Sequence, residues 1–124
     1  MTIQSYRDLR VWREAMDLAE KCYRLTATFP RRETFGMTAQ IRRASVSIAA
    51  NIAEGYGRET TGAYGQFLRV AQGSLKELET HLLLAGRVGL ATDVAVAPLL
   101  AACDQIGRML RSLIRSIDRS SKAS

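Results

Sequence analysis

The sequence predicts an all-α fold, an antiparallel up-down-up-down four-helix bundle. Three observations lead there. Apolar residues recur at spacings of three and four in four separate stretches, the period of helices that each bury one face. The connections between those stretches are short and are marked by Pro30, by Gly55 and Gly57, and by Gly89. No segment shows the alternating pattern of a half-buried strand. With 124 residues, 47% of them hydrophobic, the chain can bury one real core but not two. A single domain is expected over residues 1–119, with a flexible tail at 120–124.

The first helix is expected from about Ser5 or Arg7 to Thr28. Leu9, Trp12, Met16, Ala19, Tyr23 and Thr26 form one apolar seam, and Val11, Ala15, Leu18, Cys22, Leu25 and Phe29 form a second. Two seams predict a wide buried face, with Trp12 as a core anchor. Pro30 ends the helix, since it lacks an amide donor and disfavours helical angles in the residue before it. Arg31 and Arg32 then make a solvated basic corner.

The second helix reads as the central one. Met37, Ile41, Ala44, Ile48 and Ile52 share an apolar stripe, and Gln40, Arg43, Ser47, Asn51 and Glu54 share a polar stripe beside it. The remaining arc holds Ala39, Val46, Ala49, Ala50 and Ala53, with Arg42 as nearly its only solvent-seeking residue. A helix apolar on most sides must be sandwiched, so a second chain is expected to help cover it. The polar stripe predicts a satisfied structural network, with Arg43 paired to Glu54 or Gln40 and with Ser47 and Asn51 bonded nearby. A ligand site is the competing reading, but Arg43 and Glu54 stand about three turns apart on one helix and cannot meet directly. Gly55 and Gly57 predict a left-handed C-terminal cap. A phosphate loop is disfavoured, because no strand precedes the glycines and no GK[ST] follows them.

The third helix is expected from a cap at Thr60 or Thr61 to about Val88, with Gly89 as its stop. Tyr64, Leu68, Ala71, Leu75, Leu78, Leu82 and Ala85 alternate spacings of four and three, the pattern of shallow-angle bundle packing. Leu83 lies off this seam and suggests contact with another subunit. In the fourth helix Asp93 is a candidate N-cap, yet Pro98 in the second turn would remove a hydrogen bond, so regular helix is expected only from about Ala97. Leu99, Cys103, Ile106, Leu110, Leu113 and Ile117 form its seam, widened by Leu100 and Ile114. Arg108, Arg111, Arg115, Arg119 and Lys122 fall within roughly 80° of one another on another edge.

Charge and composition narrow the function. The net charge is +6 and the pI is near 9.9, which favours polyanionic partners. Most of that excess lies between Arg108 and Ser124, where Asp118 alone opposes five basic residues. No signal peptide or apolar run of membrane-spanning length is visible, so a cytoplasmic location without membrane association is expected. Cys22 and Cys103 are far apart on apolar seams and read as reduced core thiols. His81 is the single histidine, and Leu78 stands where a Glu-x-x-His di-iron pair would need its carboxylate. Neither a catalytic triad nor a metal or cofactor site can be assembled, so the chain is not expected to be an enzyme.

The run FGMTAQIRRASVSIAANIAEGYGR at 35–58 resembles a known family. Together with YRDLRVW at 6–12, the Phe29–Pro30 pair and FLRVAQGSLKELET at 67–80, it is similar to the four-helix bundle proteins encoded in intervening sequences of bacterial large-subunit rRNA genes, the S-twenty-three family. The resemblance runs to about Gly89, and the fourth helix matches only in general character. It implies a homo-oligomeric ring, commonly a pentamer. The accessory variability protein of diversity-generating retroelements shares the fold and is a basic pentamer that binds nucleic acid and docks a reverse transcriptase. Two positions depart from the commoner pattern: Ala49 replaces a frequent Pro, and Gln72 replaces a frequent basic residue.

Together these features suggest an oligomeric nucleic-acid-binding module, for RNA or DNA, or a ribonucleoprotein accessory protein. Arg108, Arg111, Arg115 and Arg119 would contact phosphates, and ring assembly would multiply the contacts. No aromatic residue interleaves with them, so binding would be salt-sensitive and largely nonspecific. The alternative is a protein-interaction or structural scaffold without nucleic-acid binding, built on the wide apolar surface of the first two helices; a reverse transcriptase is the protein partner that the resemblance suggests.

Overall fold

The computed structural model describes residues 2–123, with side chains described to position 120, and these residues form four α-helices and no strand. α1 spans Arg10–Thr26, α2 Met37–Tyr56, α3 Thr61–Arg87 and α4 Asp93–Ala123. Short 3-10 turns at Tyr6–Asp8 and Arg31–Glu33 precede α1 and α2. α1 and α3 each pack on both α2 and α4, while the backbones of the diagonal pairs α1–α3 and α2–α4 stay more than 8 Å apart, Cα to Cα, among the described residues. No described helix is long and apolar enough to cross a membrane.

The first helix starts later than the periodicity suggests. Ser5 accepts from the Arg7 amide, the Asp8 carboxylate accepts from the Gln4 and Ser5 amides, and this capping box closes a separate turn. Leu9 is extended, at φ −72° and ψ 124°, so α1 begins only at Arg10. Gly57 follows α2 with φ −77°, not in the left-handed conformation expected, and Gly55 lies inside the helix. The reason for Gly55 is space: a Cβ there would sit 2.8 Å from Phe67 Cβ and 3.0 Å from Tyr64 Cδ1. Gly89 does adopt φ +79° and ends the third helix as expected.

α3 is capped by Thr60, whose Oγ1 accepts from the Ala63 amide at 3.1 Å. α4 begins four residues before the expected start because Thr92 Oγ1 accepts from the Ala95 amide at 3.1 Å. Pro98 is inside the helix. It cannot donate to the Val94 carbonyl, but Val94 is 85% exposed, and water can satisfy that oxygen. α4 continues to Ala123, through most of the segment expected as a tail; Ser124 and the Lys122 side chain lie outside the described residues.

The core follows the predicted seams. Ile41, Ala44, Ile48 and Ile52 of α2 meet Leu68, Ala71, Leu75, Leu78, Leu82 and Ala85 of α3, all buried, with Cys103, Ile106 and Leu110 of α4 beside them. In α1 the seam of Val11, Ala15, Leu18 and Cys22 is buried. The other seam is only partly covered, leaving Met16 and Tyr23 more than 40% exposed. Cys22 and Cys103 are free and buried, and burial pushes both thiols up to about 12.

Facing residues run in opposite numerical order on neighbouring helices. Arg43 meets Glu77 and Ser47 meets Ser74 between α2 and α3, and Gly55 lies against Tyr64 and Phe67. Between α3 and α4, Arg69 meets Asp118 and Gly107 lies under Leu75.

Candidate nucleic-acid interface

The predicted basic stripe stands on the outer side of α4. Ile106, Leu110, Ile114 and Ile117 turn inward and fix the helix, which leaves Arg108, Arg111, Arg115 and Arg119 exposed. Arg108 Nη2 is 2.9 Å from Asp104 Oδ2 one turn earlier. Among the described residues, Arg111, Arg115 and Arg119 have no carboxylate at ion-pair distance. Three like charges at spacings of four repel one another, by about 0.2–0.5 kcal/mol per pair. A bound anion would relieve that repulsion.

α3 adds cations that the sequence reading did not assign to the interface. Arg69 Nη2 donates to Asp118 Oδ2 at 2.9 Å, across the helix pair. Gly65 beneath it leaves the room, since a Cβ there would lie 3.1 Å from the Arg69 guanidinium. Lys76 reaches Glu79 at 3.4 Å and is itself strongly exposed. Arg69, Gln72, Gly73 and Lys76 of α3 face Gly107 and Arg111 of α4 across a groove of about 380 Å³. The signal was available: positions 69, 72, 73 and 76 share one edge of a helix at spacings of three and four. Gln72 lines that groove with an amide.

The polar stripe of α2 is structural in all but one member. Arg43 Nη2 donates to Gln40 Oε1 at 2.9 Å and to Glu77 Oε1 at 2.6 Å. Ser47 and Ser74 hydroxyls are 2.8 Å apart, and Asn51 Nδ2 donates to the Ser47 carbonyl at 2.8 Å and its hydroxyl at 3.1 Å. Glu54 is exposed and makes no side-chain hydrogen bond or ion pair among the described residues. Arg43 pairs with Glu77 because α3 runs alongside it, whereas Glu54 is about 16 Å further along its own helix. The stripe therefore faces the α2–α3 seam. His81 lies beside it, with a buried Nε2 3.6 Å from Glu77 Oε1 and no hydrogen-bond partner among the described residues.

A second surface lies between α1 and α2. Met16, Tyr23 and Val46, each nearly half exposed, line a groove of about 550 Å³ with Trp12, Ala49, Ala50 and Ala53. Trp12 is half-buried and meets the Tyr6 ring edge-on at 5.2 Å, so it anchors the rim of this groove as well as the core. Arg42, expected to seek solvent, donates from Nε to Thr26 Oγ1 at 2.8 Å and covers the Tyr23 ring at 4.5 Å. Among the described residues, no group of three or more His, Cys, Asp or Glu is placed to hold a metal ion.

Residues 7–112 match the family described as 23S rRNA-intervening sequence protein. The chain belongs to that family. The intervening sequence protein match includes Arg69, Lys76, Arg108 and Arg111 and stops before Arg115 and Arg119. Among solved structures, a protein with unknown function from the S23 ribosomal protein family of Bacteroides thetaiotaomicron VPI-5482 superposes with a TM-score of 0.76. It is 24% identical, and the alignment covers 84% of this chain and 97% of that one. The likeness is one of fold. No curated protein matches this intervening sequence protein.

Proposed function

We propose that this intervening sequence protein is a non-enzymatic, oligomeric accessory module that binds RNA or DNA through the α3–α4 surface. The observation that carries the reading is the set of three exposed α4 arginines without a carboxylate partner among the described residues, beside Arg69 and Lys76 of α3. Such a surface attracts a polyanion and repels basic protein. The reversed order of facing residues supports an antiparallel up-down-up-down course. The half-exposed α1–α2 groove supports assembly into a ring, the pentamer that the family resemblance implies. Polyvalence would then convert weak contacts on each chain into useful affinity.

A second reading, a protein-interaction scaffold without nucleic acid, is favoured by that same apolar groove. Light scattering followed by titration with labelled RNA and DNA duplexes at several salt concentrations separates the two. The nucleic-acid reading expects an oligomer whose affinity falls steeply with salt and is lost when Arg108, Arg111 and Arg115 become Gln. An intact oligomer that binds neither nucleic acid at low salt refutes it and leaves the scaffold.

A further inference from the structure

We infer that the groove between α3 and α4 is a phosphoryl-anion cleft, in which Arg111, Lys76 and Arg69 hold a phosphate group and the Gln72 amide adds a donor. The inference deepens the nucleic-acid reading, and in its phosphodiester form rests on it. Four observations converge. The residues lining the groove supply three cations and one amide and no carboxylate. Arg111, at its α4 edge, has no ion-pair partner among the described residues.

The cations that are paired are held loosely. Both partners of the Arg69–Asp118 pair are almost half exposed, and Lys76 is 3.4 Å from Glu79. Exposed pairs of this kind contribute little, so a phosphate can compete for the same donors. Finally, two helical glycines line the space. A Cβ at Gly73 would meet nothing within 4 Å, so packing does not require glycine there, although glycine costs a helix about 1 kcal/mol relative to alanine. At Gly107 a Cβ would stand 3.4 Å from Leu75 Cδ2 and 3.7 Å from the Arg111 guanidinium, so glycine there keeps the groove wall low beside Arg111. No aromatic ring lines the cleft, so it grips phosphate without reading a base.

The same chemistry serves a phosphodiester in a nucleic-acid strand or free inorganic phosphate, and the test has an arm for each. Affinity for a labelled oligouridylate is measured at several salt concentrations, and inorganic phosphate is titrated while the guanidinium NMR signals of Arg69 and Arg111 are followed. Gly73→Leu narrows the cleft and leaves every charge in place. It should weaken binding about tenfold while the helix content and melting temperature hold or rise. Arg111→Gln should weaken binding and lower the salt slope by about 0.7. The pair Arg115→Gln and Arg119→Gln, outside the cleft, should leave the phosphate-induced shifts of Arg69 and Arg111 intact.

Oligouridylate binding that survives Gly73→Leu and Arg111→Gln but is lost with Arg115→Gln and Arg119→Gln overturns the cleft and leaves the nucleic-acid reading standing. Inorganic phosphate that shifts both signals, with no oligouridylate binding, supports the cleft with free phosphate as its ligand and refutes the nucleic-acid reading. Absence of both responses overturns both.

Discussion

Replacing Gly55 and Gly73 by alanine should move stability in opposite directions, although both glycines lie inside helices. At Gly55 the new Cβ would sit 2.8 Å from Phe67 Cβ, 3.0 Å from Tyr64 Cδ1 and 3.2 Å from the Tyr64 carbonyl oxygen. Two of these three are fixed by the α3 backbone, so no side-chain rotation removes the clash. Restoring ordinary contact near 3.5–4.0 Å requires α2 and α3 to part by about 1 Å. Overpacking of this kind costs about 1–3 kcal/mol, partly offset by about 1 kcal/mol of helix propensity. The parting would also disturb the edge-on Tyr56–Tyr64 pair at 6.1 Å and Arg58 over the Phe67 ring at 4.7 Å. A net loss of about 1–2 kcal/mol follows, or roughly 3–8 °C in melting temperature. Gly73→Ala meets nothing within 4 Å and should gain about 0.5–1 kcal/mol. Thermal melts followed by circular dichroism at one fixed protein concentration measure both, since an assembling chain would have a concentration-dependent midpoint. Shifts of the same sign for the two variants would refute the packing account of Gly55.

Removing Arg42 should cost more than removing Arg43. Arg42→Ala loses the 2.8 Å bond to Thr26 and the cover over Tyr23, about 1–2 kcal/mol, whereas Arg43→Ala breaks an exposed pair with Glu77 and should cost under about 1 kcal/mol in urea titrations. Cys22 and Cys103, with thiols pushed up to about 12, should resist a thiol reagent at neutral pH in the native state and react fully in denaturant; rapid native labelling would contradict their burial. The backbone amides of Gln4 and Ser5 hold the Asp8 carboxyl below its ordinary value of 3.8. Its contribution is therefore present above that value and is lost as pH falls through the lower folded-state value. Amide NMR shifts of Gln4 and Ser5 should move only in that acidic window, and should be insensitive to pH there in Asp8→Asn.

The buried seams were legible because periodicity reports directly on which side of a helix is covered. Ile41, Ile48, Leu68, Leu75, Leu82 and Leu110 are all buried where the spacing puts them. What stayed hidden depends on a neighbour. Gly55 has the composition of a cap signal, but its role is set by Phe67 and Tyr64 on the next helix. Arg42 looked like an exposed cation because Thr26 and Tyr23, which receive it, lie 16 and 19 residues away. The early start of α4 turned on one hydroxyl, Thr92, outweighing one missing donor at Pro98. At the candidate interface, the stripe on α4 could be read from a single helical wheel. The groove could not, because Arg69, Gln72 and Lys76 acquire a shared space with Arg111 only when α3 lies against α4.

The placement of the two surfaces bears on how they could work together. α1 packs on α2 and α4, α3 packs on α2 and α4, and the backbones of each diagonal pair stay more than 8 Å apart, Cα to Cα, among the described residues. The apolar α1–α2 groove and the cationic α3–α4 groove therefore lie on opposite sides of the bundle. Association through the first would leave the second open to ligand, so assembly and anion binding need not compete for surface. It would also bring several copies of Arg69, Lys76, Arg108, Arg111, Arg115 and Arg119 into one particle, where mutual repulsion grows with each subunit. Burial of Met16, Tyr23, Val46 and their neighbours, at about 25 cal/mol per Å² of apolar surface, opposes that repulsion. A polyanion spanning neighbouring subunits would remove it, which would link occupancy of the cationic side to stability of the apolar one.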